Sequence, residues 1–233
     1  MKEIPVKGGV PGTVRGIDQG ELRPVPVTAN PQVVPGIFRL SFPRTFDFVP
    51  GQLVALTTDP LVPARFYSIA SGSGEPLVDI LFDLVPQGLL TPRLARLAPG
   101  DTLYVSPPFG RFVDSEGPSF WVAAGTGVAP FLSMLRSGLR EGKTLVQGSR
   151  TVAGLLERGL FADALRERYL PCCSRENAEG IFPGRTTEWL TTNPLPSVPR
   201  FLLCGSSRMV VDARDIIIGK GAPFASIIGE IYF

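Results

Sequence analysis

Short apolar runs cut by proline, glycine and aspartate fill the first half of the chain. The runs Val25–Thr28, Gly36–Phe42, Gln52–Thr57, Arg65–Ala70, Leu77–Val85 and Thr102–Ser106 all have strand character and are separated by turn residues. In one of them, alternation puts Arg65, Tyr67 and Ile69 on one face and Phe66 and Ser68 on the other. Short strands at this spacing predict an antiparallel barrel or sandwich, and the six runs are read as a six-stranded β-barrel. A short helix is expected to start near Thr91, after a glycine-ended strand. Residues 1–24, with scattered charge and many glycines and prolines, read as an arm with little regular structure of its own.

From Ser119 the pattern changes. The runs Ser119–Ala124, Lys143–Gln147, Tyr169–Cys173 and Phe201–Cys204 read as strands. Between and after them come stretches of helical spacing, with apolar residues at Phe131, Leu132 and Leu135 in Val128–Leu139, and at Val210, Ile216 and Ile217 in Met209–Lys220. Strands alternating with helices predict a doubly wound parallel α/β sheet that takes ligands at the carboxyl ends of its strands. The polar, turn-rich residues 113–118 mark the boundary, giving a two-domain chain divided into 1–117 and 118–233.

Composition narrows the chemistry. The 233 residues are 44% hydrophobic and 19% charged, enough for a sizeable core. Residues 1–117 hold ten basic and eleven acidic side chains and residues 118–233 hold thirteen and ten, so only the second half leans basic. That small excess suits an anionic ligand better than nucleic acid. There is no histidine, which removes imidazole as metal ligand or general base and argues against a catalytic triad or a zinc hydrolase. Three cysteines, Cys172, Cys173 and Cys204, are too few for an iron–sulfur cluster, so no metal is expected in the chain. The start, Met1-Lys2-Glu3-Ile4-Pro5, lacks a signal-peptide core and no apolar run reaches membrane-spanning length, so a cytoplasmic protein without membrane insertion is expected.

Chemistry-bearing residues cluster in four places. Arg65, Tyr67 and Ser68 could hold a phosphate, a flat ring and a ring nitrogen together, or could be an ordinary strand with a surface arginine. Gly88-Leu89-Leu90-Thr91 precedes a helix start, where backbone N–H groups suit phosphate oxygens but where a plain N-cap would look the same. Gly125-Thr126-Gly127 ends a strand of the second half, a weak nucleotide signal alone. Arginines follow three successive segments: Ser149-Arg150, Ser174-Arg175-Glu176 and Gly184-Arg185. Arginines there suit a ribose 2′-phosphate, whereas a carboxylate such as Glu176 suits a free hydroxyl.

Four segments in register carry a resemblance. They are Arg65-Phe66-Tyr67-Ser68 after Pro50-Gly51-Gln52, Gly125-Thr126-Gly127-Val128-Ala129-Pro130, Cys204-Gly205-Ser206-Ser207-Arg208-Met209, and the terminal Glu230-Ile231-Tyr232-Phe233. Together they resemble the ferredoxin/flavodoxin–NADP reductase family over residues 36–233. The Thr91-Pro92-Arg93-Leu94 wording is similar to the compact bacterial branch. The resemblance implies FAD held by Arg65, Phe66, Tyr67, Ser68, Gly88, Leu89, Leu90, Thr91, Thr126, Tyr232 and Phe233. It implies NADP(H) held by Gly125, Thr126, Gly127, Ser149, Arg150, Ser174, Arg175, Arg185, Cys204, Gly205 and Met209. Ser68, Cys204, Glu230 and Tyr232 then surround the hydride transfer, with Tyr232 flat on the flavin ring. Ferredoxin or flavodoxin is the implied partner, a separate electron carrier, and a monomer is expected. Two alternatives share these features: a reductase component of an oxygenase or a free flavin reductase, and a flavin-binding sensor without catalysis.

Overall fold

Each run of strand character in the first half becomes a strand because it can bury one file of apolar side chains. In the computed structural model, which describes residues 22–232, these strands are β1 (Arg23–Pro26), β2 (Gln32–Val34), β3 (Ile37–Pro43), β4 (Leu53–Thr57), β5 (Arg65–Ser68), β6 (Leu77–Asp83) and β7 (Thr102–Val105). They pair antiparallel in the orders β1-β7-β4-β5 and β2-β3-β6. Isolated bridges stitch both seams, Ile69 to Ile80 between the β5 and β6 edges, and Ala29 to Ser41 between the run after β1 and β3. The expected six-stranded barrel closes, with β2 an additional short strand on β3. Leu40, Phe42, Val54, Leu56, Ile80 and Phe82 fill its interior.

One boundary moves. β1 begins inside residues 1–24, expected as an arm, since Arg23 pairs with Val105 and Pro24 with Tyr104. Pro24 and Pro26 lack N–H donors but keep their carbonyls, so a strand edge can accommodate them while the sequence reads as broken. The rest of the arm, residues 1–21, and Phe233 lie outside the described residues.

β6 has two buried faces. Val78, Ile80 and Phe82 point into the barrel. On the opposite file Leu81 joins the core of the second half, with Asp79 and Asp83 on either side of it. The barrel wall at β6 is therefore also the surface on which the second half is seated.

The second half is a six-stranded parallel sheet in the order β11-β10-β9-β8-β12-β13. Its strands are β8 (Ser119–Ala124), β9 (Lys143–Ser149), β10 (Tyr169–Cys173), β11 (Phe182–Pro183), β12 (Phe201–Ser206) and β13 (Ile227–Tyr232). The chain moves outward from β8 to β11 and returns on the other side of β8, so the order reverses beside β8. Helices α2 (Ala129–Arg136) and α3 (Arg158–Leu165) cover the face bearing Trp121 and Ala123. Helices α4 (Thr186–Thr192) and α5 (Ser207–Gly219) cover the face bearing Phe120 and Val122. The four-residue helix α1 (Thr91–Leu94) belongs to the barrel. Alternation along β8 thus assigns one set of side chains to each helix layer, which is the doubly wound arrangement expected.

Residues 113–118 are held by a buried ion pair. Lys143 Nζ and Asp114 Oδ2 are 2.9 Å apart with both side chains 1% exposed. Ser119 Oγ and Trp121 Nε1 donate to the same carboxylate oxygen at 2.5 and 2.8 Å. Lys143 also donates to the carbonyls of Ser115 and Gly117. Burial alone would push the Asp114 carboxyl up, but the bonds from Ser119, Lys143 and Trp121 together hold it below its usual value.

Candidate functional site

On the barrel side the site begins with β5. Arg65 and Phe66 are exposed, Tyr67 is half-buried and Ser68 is buried. Phe66 sets its ring edge-on against Phe109 at 5.2 Å, and Tyr67 does the same against Phe82 at 6.4 Å. Burial pushes the Tyr67 phenol well up, with the Arg65 charge opposing, so it is a neutral, flat surface at ordinary pH. The bridge from Ile69 to Ile80 is antiparallel. Counting four residues back from Ile69 and four on from Ile80 therefore brings Arg65 level with Leu84, at the start of the loop that runs to Thr91.

The side-chain bonds of that loop are local. Thr91 Oγ1 bonds back to Val85, accepting from its N–H at 2.9 Å and donating to its carbonyl at 3.2 Å. It therefore does not cap α1, and Leu90 at the N-cap offers no side-chain bond either. Pro92 has no N–H, and the N–H groups of Arg93 and Leu94 both donate to the Leu90 carbonyl, while Leu90 itself is buried in the barrel core and Leu89 is exposed. What this segment presents is backbone.

On the sheet side the carboxyl ends of the parallel strands share one edge. Gly125-Thr126-Gly127 follows β8 as a 3-10 turn pressed onto the end of β12. A Cβ at Gly127 would run into the Cys204 carbonyl, so only glycine allows this approach. Cys204 is in register with Ala123 on β8 and Glu230 on β13. Its thiol is buried and pushed up, first by burial and then by the charge of Glu230, so it is an inert packing group rather than a nucleophile. Met209 lies in the apolar layer under α5, its N–H held by Ser206 Oγ at 3.4 Å.

The two sides meet at named contacts. Ser68 Oγ donates to Glu230 Oε1. Thr126 Oγ1 donates to Asp83 Oδ2 at 2.6 Å. Burial raises the Glu230 carboxyl to about 7, although the Ser68 bond lowers it, so near neutral pH Glu230 can hold or release a proton. The Tyr232 hydroxyl is buried without a hydrogen-bond partner among the described residues, the Cys204 thiol and Ser68 hydroxyl lying near it outside bonding geometry.

Arg150, Arg175 and Arg185 follow neighbouring strands of the sheet. Ser174 N donates to the Ser149 carbonyl at 3.1 Å and Arg175 N to the Arg150 carbonyl at 3.0 Å, continuing the pairing of β9 and β10 past the strand ends. Arg185 opens α4 next to β11. All three side chains are exposed, and none forms an ion pair among the described residues. Glu176, the possible competitor, accepts the Val152 N–H at 2.6 Å on one carboxylate oxygen.

This set fits a dinucleotide lying against a second flat ring. The exposed guanidinium groups suit phosphates, and Gly127 lets the turn after β8 pack directly on the Cys204 carbonyl at the carboxyl edge of the sheet.

Sequence reasoning missed the residues that join the halves. Asp79 accepts from Ser41 at 2.6 Å and pairs with Arg136 at 3.2 Å, Asp83 holds Thr126, and Arg39 pairs with Glu157. The signal was present in Leu77–Asp83, where a period of two separates Asp79, Leu81 and Asp83 from the barrel-facing residues.

No family model matches the chain. Ferredoxin–NADP reductase B of Sorangium cellulosum is 33% identical over 227 residues, covering 85% of this chain and 92% of that protein. Among solved structures, a ferredoxin NADP+ reductase from Neisseria gonorrhoeae with bound FAD and NADP superposes with a TM-score of 0.81 at 20% identity, over 91% of this chain and 99% of that one. The Amycolatopsis cytochrome P450 reductase GcoB superposes with a TM-score of 0.78 at 24% identity, over 90% of this chain and 70% of that one.

Proposed function

The chain belongs to the ferredoxin–NADP reductase family, and on that premise we propose that it is an FAD-dependent reductase that oxidises NADPH and passes the electrons to a ferredoxin or flavodoxin. The contact that carries the reading is Ser68 with Glu230, a barrel residue and a sheet residue joined beside Cys204 and Tyr232. Residues 1–117 would be the flavin domain and 118–233 the nucleotide domain.

Arg65 and the backbone of Gly88–Thr91 would bind the flavin pyrophosphate, with Tyr67 and Tyr232 as aromatic surfaces for its ring and Phe233 beyond the described residues. Gly125–Gly127 would receive the nucleotide pyrophosphate, with Arg150, Arg175 and Arg185 on its 2′-phosphate and Ser149 and Ser174 beside them. Bound FAD would accept two electrons from the reduced pyridine and release them singly. The residues around it orient and exclude water. Glu230 holds a proton at its carboxyl, Ser68 fixes that carboxyl, and Cys204 with Gly205 shapes the floor.

Preference for NADPH is supported by three exposed guanidiniums that form no ion pair among the described residues. A ferredoxin or flavodoxin partner is favoured over an oxygenase component because a reductase of that name matches at 33% identity over 85% of the chain, against 29% over 64% of the chain for a phenol hydroxylase P5 protein. No helix among the described residues is long and apolar enough to cross a membrane. Anaerobic stopped-flow reduction of the FAD-loaded protein tests the reading. Bleaching of the flavin band by NADPH, much faster than by NADH, is expected; failure to retain FAD or to bleach would refute it.

A further inference from the structure

Asp83 closes β6 and reaches out of the barrel to the turn after β8, where Thr126 Oγ1 donates to its Oδ2 at 2.6 Å. A hydroxyl has one proton and two lone-pair directions, and a carboxylate only accepts. The length is that of a charge-assisted bond, so the proton of Thr126 is committed to Asp83. Toward anything else Thr126 Oγ1 offers lone pairs. A phosphate oxygen, itself an acceptor, is a poor partner for that atom and is also repelled by the Asp83 charge.

We propose that Asp83 is a positioning residue that sets the polarity of Thr126, so that this hydroxyl accepts an N–H from the carboxamide of a bound pyridine nucleotide and leaves the pyrophosphate to the backbone of the turn. The inference rests on the pyridine-nucleotide reading of the cleft. Strand order identifies which donor of the nucleotide is meant. The arginines that suit the ribose phosphate follow β9, β10 and β11, whereas Thr126 sits between β8 and β12 beside Cys204. Neighbouring strands are about 4.8 Å apart, so the adenosine end lies toward one edge and the ring end at Thr126. The ring end carries one strong N–H donor, the carboxamide.

Equilibrium titration of the FAD-loaded protein with NADP+ and with its 3-acetylpyridine analogue, in which a methyl replaces the amide nitrogen, measures that bond without turnover. The wild-type chain should bind NADP+ about tenfold more tightly than the analogue, the value of one hydrogen bond. Asp83→Ala frees the proton of Thr126, and the ratio should fall to about twofold or less. Asp83→Asn keeps a carbonyl acceptor and should retain most of the preference. Should Asp83→Ala fail to fold, as judged by FAD retention, Thr126→Val provides the same test and should also collapse the ratio. A ratio near one in the wild type, or an unchanged ratio in whichever of these two variants folds, would overturn the proposal alone. If the wild type binds neither nucleotide, the pyridine-nucleotide reading falls and takes this inference with it.

Discussion

Ser68 at the end of β5 and Glu230 in β13 are hydrogen-bonded across the boundary between barrel and sheet. Neither residue alone would be unusual. Together they put a carboxyl raised to about 7 by burial beside a hydroxyl that partly stabilises its charged form.

Removing that hydroxyl should move the titration upward. Ser68→Ala takes away the interaction that lowers the Glu230 value, so the pH dependence of flavin reduction, with an inflection near 7 in the wild type, should shift higher by about half a unit to one unit. An inflection that stays in place would show that another group controls the profile.

The same carboxyl makes stability depend on pH. Its native value lies above the ordinary carboxyl value of 4.5, so the native state binds a proton that the unfolded chain releases between these values. The contribution is fully present below about 4.5 and is lost as pH rises through about 7. Urea unfolding of Glu230→Gln should show a flatter dependence over that window than the wild type. Parallel curves would contradict the assignment.

Coenzyme choice should reside in the arginines. Arg175→Ala should raise the KM for NADPH roughly tenfold and leave that for NADH nearly unchanged, because one phosphate contact is lost and no other group is disturbed. Equal losses for both coenzymes would indicate a structural role for the side chain.

Gly127→Ala tests the packing of the turn. The added methyl meets the Cys204 carbonyl, which is backbone and cannot rotate away. Nucleotide affinity should fall at least tenfold while FAD is retained, since the clash lies on the sheet side. Unchanged affinity would mean that the turn is free to shift.

The buried ion pair should be costly to break. Lys143→Met strands Asp114, which is 1% exposed, and should destabilise the chain by about 3 kcal/mol in denaturant titration. Asp114 is held below its usual value, so its contribution is present above the ordinary carboxylate range and lost as pH falls through its native value. Asp114→Asn should accordingly remove part of the acid sensitivity.

The barrel, the parallel sheet and most strand limits could be read from periodicity, because burying one file of side chains imposes the same spacing on the sequence as on the strand. The local motifs Arg65–Ser68, Gly125–Gly127 and Glu230–Tyr232 were legible for a similar reason: each needs its residue types within a few positions. One smaller error was also local. The prolines of Arg23–Pro26 hid the start of a strand. The joints between the halves were not legible. Asp83 and Thr126 are 43 residues apart, and Ser68 and Glu230 are 162 apart. Nothing near either residue specifies its partner, because that depends on the closure of the barrel, the order of the sheet and the seating of one on the other. The sequence by itself determined which elements form and which chemistry each carries. Only the tertiary structure decided which carboxyl is buried enough to titrate near neutrality, which hydroxyl loses its proton to a neighbour and which arginines remain free, since desolvation and hydrogen-bond geometry arise only when distant segments meet.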